Sequence, residues 1–180
     1  MCLVRLANKL EEIADVFRNE STLVYTTNDI VGVQVGGATK NVIAMAAGIS
    51  DGMELGINAR CMLMTRGLAE MNRLNTALGG KAETMMGLSG LGDLVLTCSS
   101  DLSRNRRLGV ALGQGKKMDE ITEEIGQEVE GIQSTREAYL IGRTLDVFMP
   151  MTERVYRILY EGLSPHHAAR ELMAIGPSLK

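Results

Sequence analysis

Between Asp29 and Asp51 the chain reads IVGVQVGGATKNVIAMAAGIS, and Lys40 is the only charged side chain in that stretch. The segment has no polar face, and a helix that is apolar all round is a buried one. Its small residues (Gly36, Gly37, Ala38, Ala44, Ala46, Ala47, Gly48) allow neighbouring helices to approach closely. Glycine in a helix costs up to about 1 kcal/mol relative to alanine, so a run of them implies a packing or site reason. The length also suits a membrane span. The glycine content, Gln34, Asn41 and the central Lys40 argue against one.

Lys40 then needs a partner or an altered charge. Burial disfavours the ammonium and lowers a lysine pKa, by up to about 3–5 units when complete. A lysine tuned in this way serves as an acid or base near neutral pH. A structural lysine that snorkels to the surface or pairs with a carboxylate fits the stretch equally well. Both readings stay open on these residues alone.

At 180 residues the chain is long enough for one ordinary domain with a sizeable core. A hydrophobic share of 45% and a charged share of 23% describe a globular chain rather than a disordered one. The net charge of −3 argues against a general nucleic-acid binder. Cys2, Cys61 and Cys98 are scattered without metal spacing, which fits a reduced, cytoplasmic setting. His166 and His167 are adjacent and lack a second ligand pair, so no metal site is expected. The opening MCLVRLANKL is polar and soon followed by Glu11 and Glu12, unlike a signal peptide. Tryptophan is absent, so the core must rely on Leu, Ile, Val, Met and Ala.

Apolar positions from Leu6 to Phe17 follow helical spacing. Thr22 to Thr26 reads as a short strand, which needs a neighbour for its backbone groups. The pair looks like the end of an α/β unit whose sheet lies elsewhere. Asn58 is a candidate cap for a helix through Cys61, Met64, Leu68, Met71, Leu74 and Leu78, stopped by Gly79 and Gly80. GLSGLGDLVLT from Gly87 to Thr97 has its glycines in the reverse of the dinucleotide order. It reads instead as a tight turn placing Asp93 at a helix N-terminus, where the dipole favours an acid with or without a task. Ser103-Arg104-Asn105-Arg106-Arg107 opens another helix ending near Gly113. It is a solvated basic turn or, slightly favoured, an anion site, since arginine forks and N-terminal amides suit phosphate. A short acidic helix spans Met118 to Ile125, Gly131 interrupts, and a helix runs from Ile132 to Leu145. Pro150 breaks the chain again, and Ser164-Pro165 starts a last helix. The sum is about seven helices behind an α/β remnant.

Four stretches together resemble the C-terminal substrate domain of bacterial NAD(P)-dependent glycerol-3-phosphate dehydrogenase. They are GVQVGGATKNVIAMAAGISDG, ARCMLMTRGLAEMNRL, GLSGLGDLVLTCSSDLSRNRRLG and the run from Gly126 to Gly131. The resemblance implies a mainly α, multi-helix domain like the C-terminal domain of 6-phosphogluconate dehydrogenase. Residues 29–180 would form it, with 1–28 a helix–strand remnant of the dinucleotide-binding domain. It further implies hydride transfer between NAD or NADP and dihydroxyacetone phosphate or sn-glycerol 3-phosphate, feeding glycerophospholipid synthesis. By matching position, Lys40 is the general acid/base and Asp93 its catalytic neighbour. Asn41, Thr97, Ser103, Arg104 and Asn105 bind substrate, with Arg104 on the phosphate. Arg104, Glu128 and Glu130 touch the cofactor.

The Rossmann domain of that family, with most cofactor contacts, is not in these residues, so the chain alone is expected to lack turnover. A non-catalytic helical interaction or homodimerisation module derived from the enzyme is the alternative, because a face that once met another domain leaves apolar surface. A related acid or sugar-acid dehydrogenase is disfavoured by the Ser-Arg-Asn-Arg turn after Gly-Leu-Gly-Asp.

Overall fold

The structure is a computed structural model and describes residues 9–175. Helix α1 (Leu10–Phe17) carries Glu11 and Glu12 in its first turn and buries only Ala14. The Leu6 end of the expected helix lies outside the described residues. Thr22 to Thr26 forms no strand. Its only pairing is an isolated antiparallel bridge between Asn19 and Thr22. No second strand meets it among the described residues, and an unpaired strand has nothing to hold its shape.

The apolar stretch forms one continuous helix, α2 (Ile30–Gly52). It is long and apolar enough to cross a membrane by composition, but 67% of its apolar window is buried inside the protein, as in a core helix. Around it pack α3 (Ile57–Ala77), α5 (Asp93–Ser99), α6 (Arg104–Gly113), α8 (Glu130–Thr144) and α9 (Pro150–Tyr160). The short helices α4 (Ala82–Met86), α7 (Met118–Ile125) and α10 (Pro165–Ala174) close the body. Val42, Ile43 and Met45 of α2 meet Met71, Met85, Leu94, Leu108, Ile121 and Met151 in the main core.

Some boundaries differ from the sequence expectation. Gly131 lies inside α8 rather than before it. Helix α3 starts at Ile57 behind Gly56, whose φ of 85° suits glycine, so Asn58 is not its cap. More helices form than expected because short turns such as α4 hold their shape through tertiary packing.

Two contacts fix the geometry. Gly48 and Gly52 of α2 face Gly109 and Gly113 of α6 backbone to backbone. A Cβ on Gly109 would stand 2.9 Å from the Ile49 nitrogen and 3.0 Å from the Gly48 Cα. The second contact is at the start of α2. Asp29 accepts from the Gly32 amide at 2.9 Å, the Lys81 amide at 2.9 Å and the Thr84 hydroxyl at 2.6 Å. Burial opposes its charge. The Thr84 hydroxyl, the two amides and the Lys81 charge outweigh that and hold the carboxyl below its ordinary value.

Gly109→Ala should destabilise the fold by about 1–3 kcal/mol, the usual range for overpacking, because backbone rather than a movable side chain blocks the new methyl. Equilibrium urea unfolding measures this. Asp29→Asn should cost about 1–2 kcal/mol at pH 7 through the cap and the bridging bonds. A carboxyl with a depressed native pKa stabilises above its unfolded value and loses that contribution as pH falls. The gap between parent and variant should therefore narrow below pH 3.8, as followed by unfolding at stepped pH.

Candidate functional site

Lys40 sits midway along α2, one turn beyond Gly36 on the same face. Across from Gly36 the chain makes a single π-helical turn, Leu88–Gly92, before α5 begins at Asp93. A side chain on Gly36 would strike the Ser89 carbonyl, and one on Gly90 would strike the Met85 backbone. Gly36 lets the turn lie against α2, Gly90 lets it lie against the end of α4, and together they deliver Asp93 to Lys40. Lys40 Nζ donates to Asp93 Oδ2 at 2.5 Å, and the two side chains keep 21% and 27% exposure. The partner that the sequence demanded for the lysine is thus a carboxylate at the surface end of a buried wall. Thr97, one turn further on α5, donates its hydroxyl to the Asp93 carbonyl at 2.6 Å and lies 3.5 Å from Asp93 Oδ1. Asn41 follows Lys40 and is buried.

A second group forms at the start of α6. Ser103 caps the helix by accepting from the Arg106 amide at 3.2 Å. Arg104 reaches across to the loop before α8, donating to the Glu128 carbonyl at 2.9 Å and to Gln127 Oε1 at 3.3 Å. Asn105 accepts from the Gly131 amide at 3.0 Å. Gly131 has to be glycine here, since a Cβ would run into the Asn105 amide and approach Met45 Cε to 3.0 Å. The side chains of Glu128 and Glu130 are exposed.

The structure therefore brings Lys40, Asp93 and Thr97 into one cluster. It brings Ser103, Arg104 and Asn105 together with residues 127–131, the loop before α8 and its first turn, into another. No hydrogen bond joins the two among the described residues. They are connected through α2, since α6 lies along Gly48 and Met45 touches Gly131. Eight residues separate Lys40 from Gly48, about 12 Å of helix.

The sequence reading passed over a third group. Asp51 Oδ2 accepts from Arg106 Nε at 3.2 Å, Arg106 Nη2 at 2.8 Å and Arg60 Nη1 at 3.0 Å. Arg106 Nη1 also pairs with Asp101 at 2.5 Å. Partners 55 residues apart leave no local pattern to find. Cys98 is buried nearby, and burial pushes its thiol up to about 12 against the pull of Arg106 and Arg60.

The same helical arrangement occurs in solved dehydrogenases. The crystal structure of glycerol-3-phosphate dehydrogenase from Coxiella burnetii matches with a TM-score of 0.90 and 44% identity, over 94% of this chain and 52% of that one. A yeast glycerol-3-phosphate dehydrogenase matches with a TM-score of 0.81 and 26% identity, over 89% of this chain and 47% of that one. The class is the helical part of a dehydrogenase. Residues 29–170 match the NAD-dependent glycerol-3-phosphate dehydrogenase C-terminus, and the chain belongs to that family. It is 55% identical over 151 residues to glycerol-3-phosphate dehydrogenase [NAD(P)+] of Vibrio campbellii, covering 84% of this chain and 44% of the relative. Against that of Acidithiobacillus ferrooxidans it is 51% identical over 163 residues, covering 91% and 47%. The chain spans less than half the length of these curated relatives.

A thiolate is the reactive form of cysteine, so a raised thiol pKa predicts inertness. In the folded chain at pH 8, Cys61 should label with iodoacetamide and Cys98 should not, by peptide mass mapping. Labelling of Cys98 at the rate of Cys61 would contradict its burial.

Proposed function

We propose that this chain is the substrate-binding part of an NAD(P)-dependent glycerol-3-phosphate dehydrogenase. Residues 29–180 form the helical domain, and 1–28 are the tail of a dinucleotide-binding domain. The reaction interconverts dihydroxyacetone phosphate and sn-glycerol 3-phosphate in the cytoplasm, feeding glycerophospholipid synthesis. The observation that carries this reading is the Lys40–Asp93 pair at 2.5 Å, built on the glycine-lined helix that also carries the arginine turn of α6 further along.

In the reducing direction Lys40 Nζ gives a proton to the substrate carbonyl oxygen. In the oxidising direction it takes the proton back from the carbinol. Asp93 holds the lysine nitrogen in place, and Thr97 stands against Asp93. Arg104, with its planar fork of donors, binds the phosphate. Ser103, Asn105 and Asn41 line the same substrate. The nicotinamide, when bound, supplies or accepts the hydride. The residues present fit such a cofactor from one side: the Arg104 guanidinium suits its phosphates, and the exposed carboxylates of Glu128 and Glu130 suit hydroxyl and amide donors.

A second reading, a non-catalytic helical module that pairs with another protein or with a second copy, is favoured by one observation. Leu88 and Leu96, which flank Asp93, are each 66% exposed, and Leu102 is 89% exposed. Exposed leucines this close along the chain support an apolar contact face there.

The test joins this chain to a complete dinucleotide-binding domain. Lys40→Ala should lower kcat by about 100- to 10,000-fold, the usual worth of a placed proton donor. Its circular dichroism should match the parent. Undiminished kcat would overturn the acid/base assignment.

A further inference from the structure

Three successive residues fasten the first turn of α6, each to a different element. Arg104 reaches the Gln127–Glu128 loop, and Asn105 holds the start of α8 at Gly131. Arg106 runs the other way, to Asp51 in the last turn of α2. Of the three, Arg106 is gripped most completely. Its side chain is 13% exposed, with Asp51 at 16% on one flank and Asp101 on the other. Its guanidinium spends Nε and Nη2 on one carboxylate oxygen and Nη1 on a second carboxylate, while its own backbone amide receives the Ser103 cap.

We propose that Arg106 is a positioning residue for Arg104. It never meets substrate. It sets where the first turn of α6 stands along α2, and so how far Arg104 stands from Lys40. The proposal rests on the reading of Arg104 as the phosphate partner. Its physical basis is directional. The glycine contact between α2 and α6 fixes how close the helices lie, but a smooth backbone face resists sliding poorly. The fork of Arg106 on Asp51 resists sliding, because a shift along the axis breaks both of its bonds. Asp51 also holds Arg60 of α3, so the anchor is itself braced. Lysine cannot replace this grip, since a single ammonium lacks the rigid planar array that holds Asp51 on one edge and Asp101 on the other.

The test uses this chain joined to a complete dinucleotide-binding domain, assayed with dihydroxyacetone phosphate and with phosphate-free dihydroxyacetone. Arg106→Lys should raise KM for the phosphorylated substrate about tenfold, within the range that a small misplacement of a binding group produces. Turnover at saturation should change little, and kcat/KM for dihydroxyacetone should stay at the parent level. In an Arg104→Ala background, Arg106→Lys should have no further effect, because the residue it positions is gone. Asp51→Asn, which keeps the shape and removes the charge, should give the same split and serves if Arg106→Lys fails to fold. Equal losses for both substrates, an unchanged KM, or full additivity with Arg104→Ala would each overturn the proposal. If Arg104→Ala by itself leaves KM for the phosphorylated substrate unchanged, the phosphate reading has failed instead.

Discussion

The whole body depends on one backbone-to-backbone contact. Gly48 and Gly52 of α2 lie against Gly109 and Gly113 of α6, with no side chain between them. Each pair repeats at four residues, so two consecutive turns of each helix are in register. Close approach of this kind gains dispersion contacts along the whole crossing and fixes how near the two helices lie. The site is laid out on that separation. With α6 drawn onto the second half of α2, its first turn is carried beside the stretch that follows Lys40. Larger residues at these positions would push Arg104 outward and separate the two clusters.

Polar groups inside this body work mainly at helix starts, where amides lack partners within the helix. Asp29 serves α2 and reaches Lys81 and Thr84 at the start of α4. Asn105 serves α8 from α6. Glu70 of α3, only 1% exposed, serves α9 by accepting from the Met151 and Thr152 amides at 2.9 and 2.8 Å and from the Thr152 hydroxyl. Burial pushes the Glu70 carboxyl up, while these three donors and the Arg73 charge pull against it. A buried acid is tolerated only with such partners. In a chain with few aromatic rings, these fastenings orient helices that aliphatic packing alone would leave free to rotate.

How much of this is legible in the sequence follows from distance along the chain. Helix α2 is legible because its apolar run is long and its cap, Asp29, is adjacent. The starts of α6 and α10 are legible because Ser103 and Ser164 accept from amides three residues on. That Lys40 needs a partner is legible too, since it is the lone charge in an apolar stretch. That the partner is Asp93 follows from family resemblance and not from pattern, as the two stand 53 positions apart. The grips of Asp51 on Arg106 and of Glu70 on α9 are illegible for the same reason. Thr22 to Thr26 shows the opposite case. Its composition suits a strand, but a strand exists only with a neighbour, and local propensity yields to that requirement.

The Lys40–Asp93 pair lies at the rim of the helical wall and is neither fully buried nor fully solvated. With roughly a quarter of each side chain open to solvent, water screens the pair, and exposed pairs of this kind contribute little to stability. The same charges interact more strongly as water is excluded, because attraction scales inversely with the local dielectric. A surface closing over Lys40, Asp93 and the apolar side chains of Leu88 and Leu96 would remove that water in one step. It would cover the exposed leucines and sharpen the field at the lysine nitrogen together. Under the proposed role of Lys40, a charged pair at the rim of an apolar face would act more strongly on a bound group once that face is covered, by elementary electrostatics.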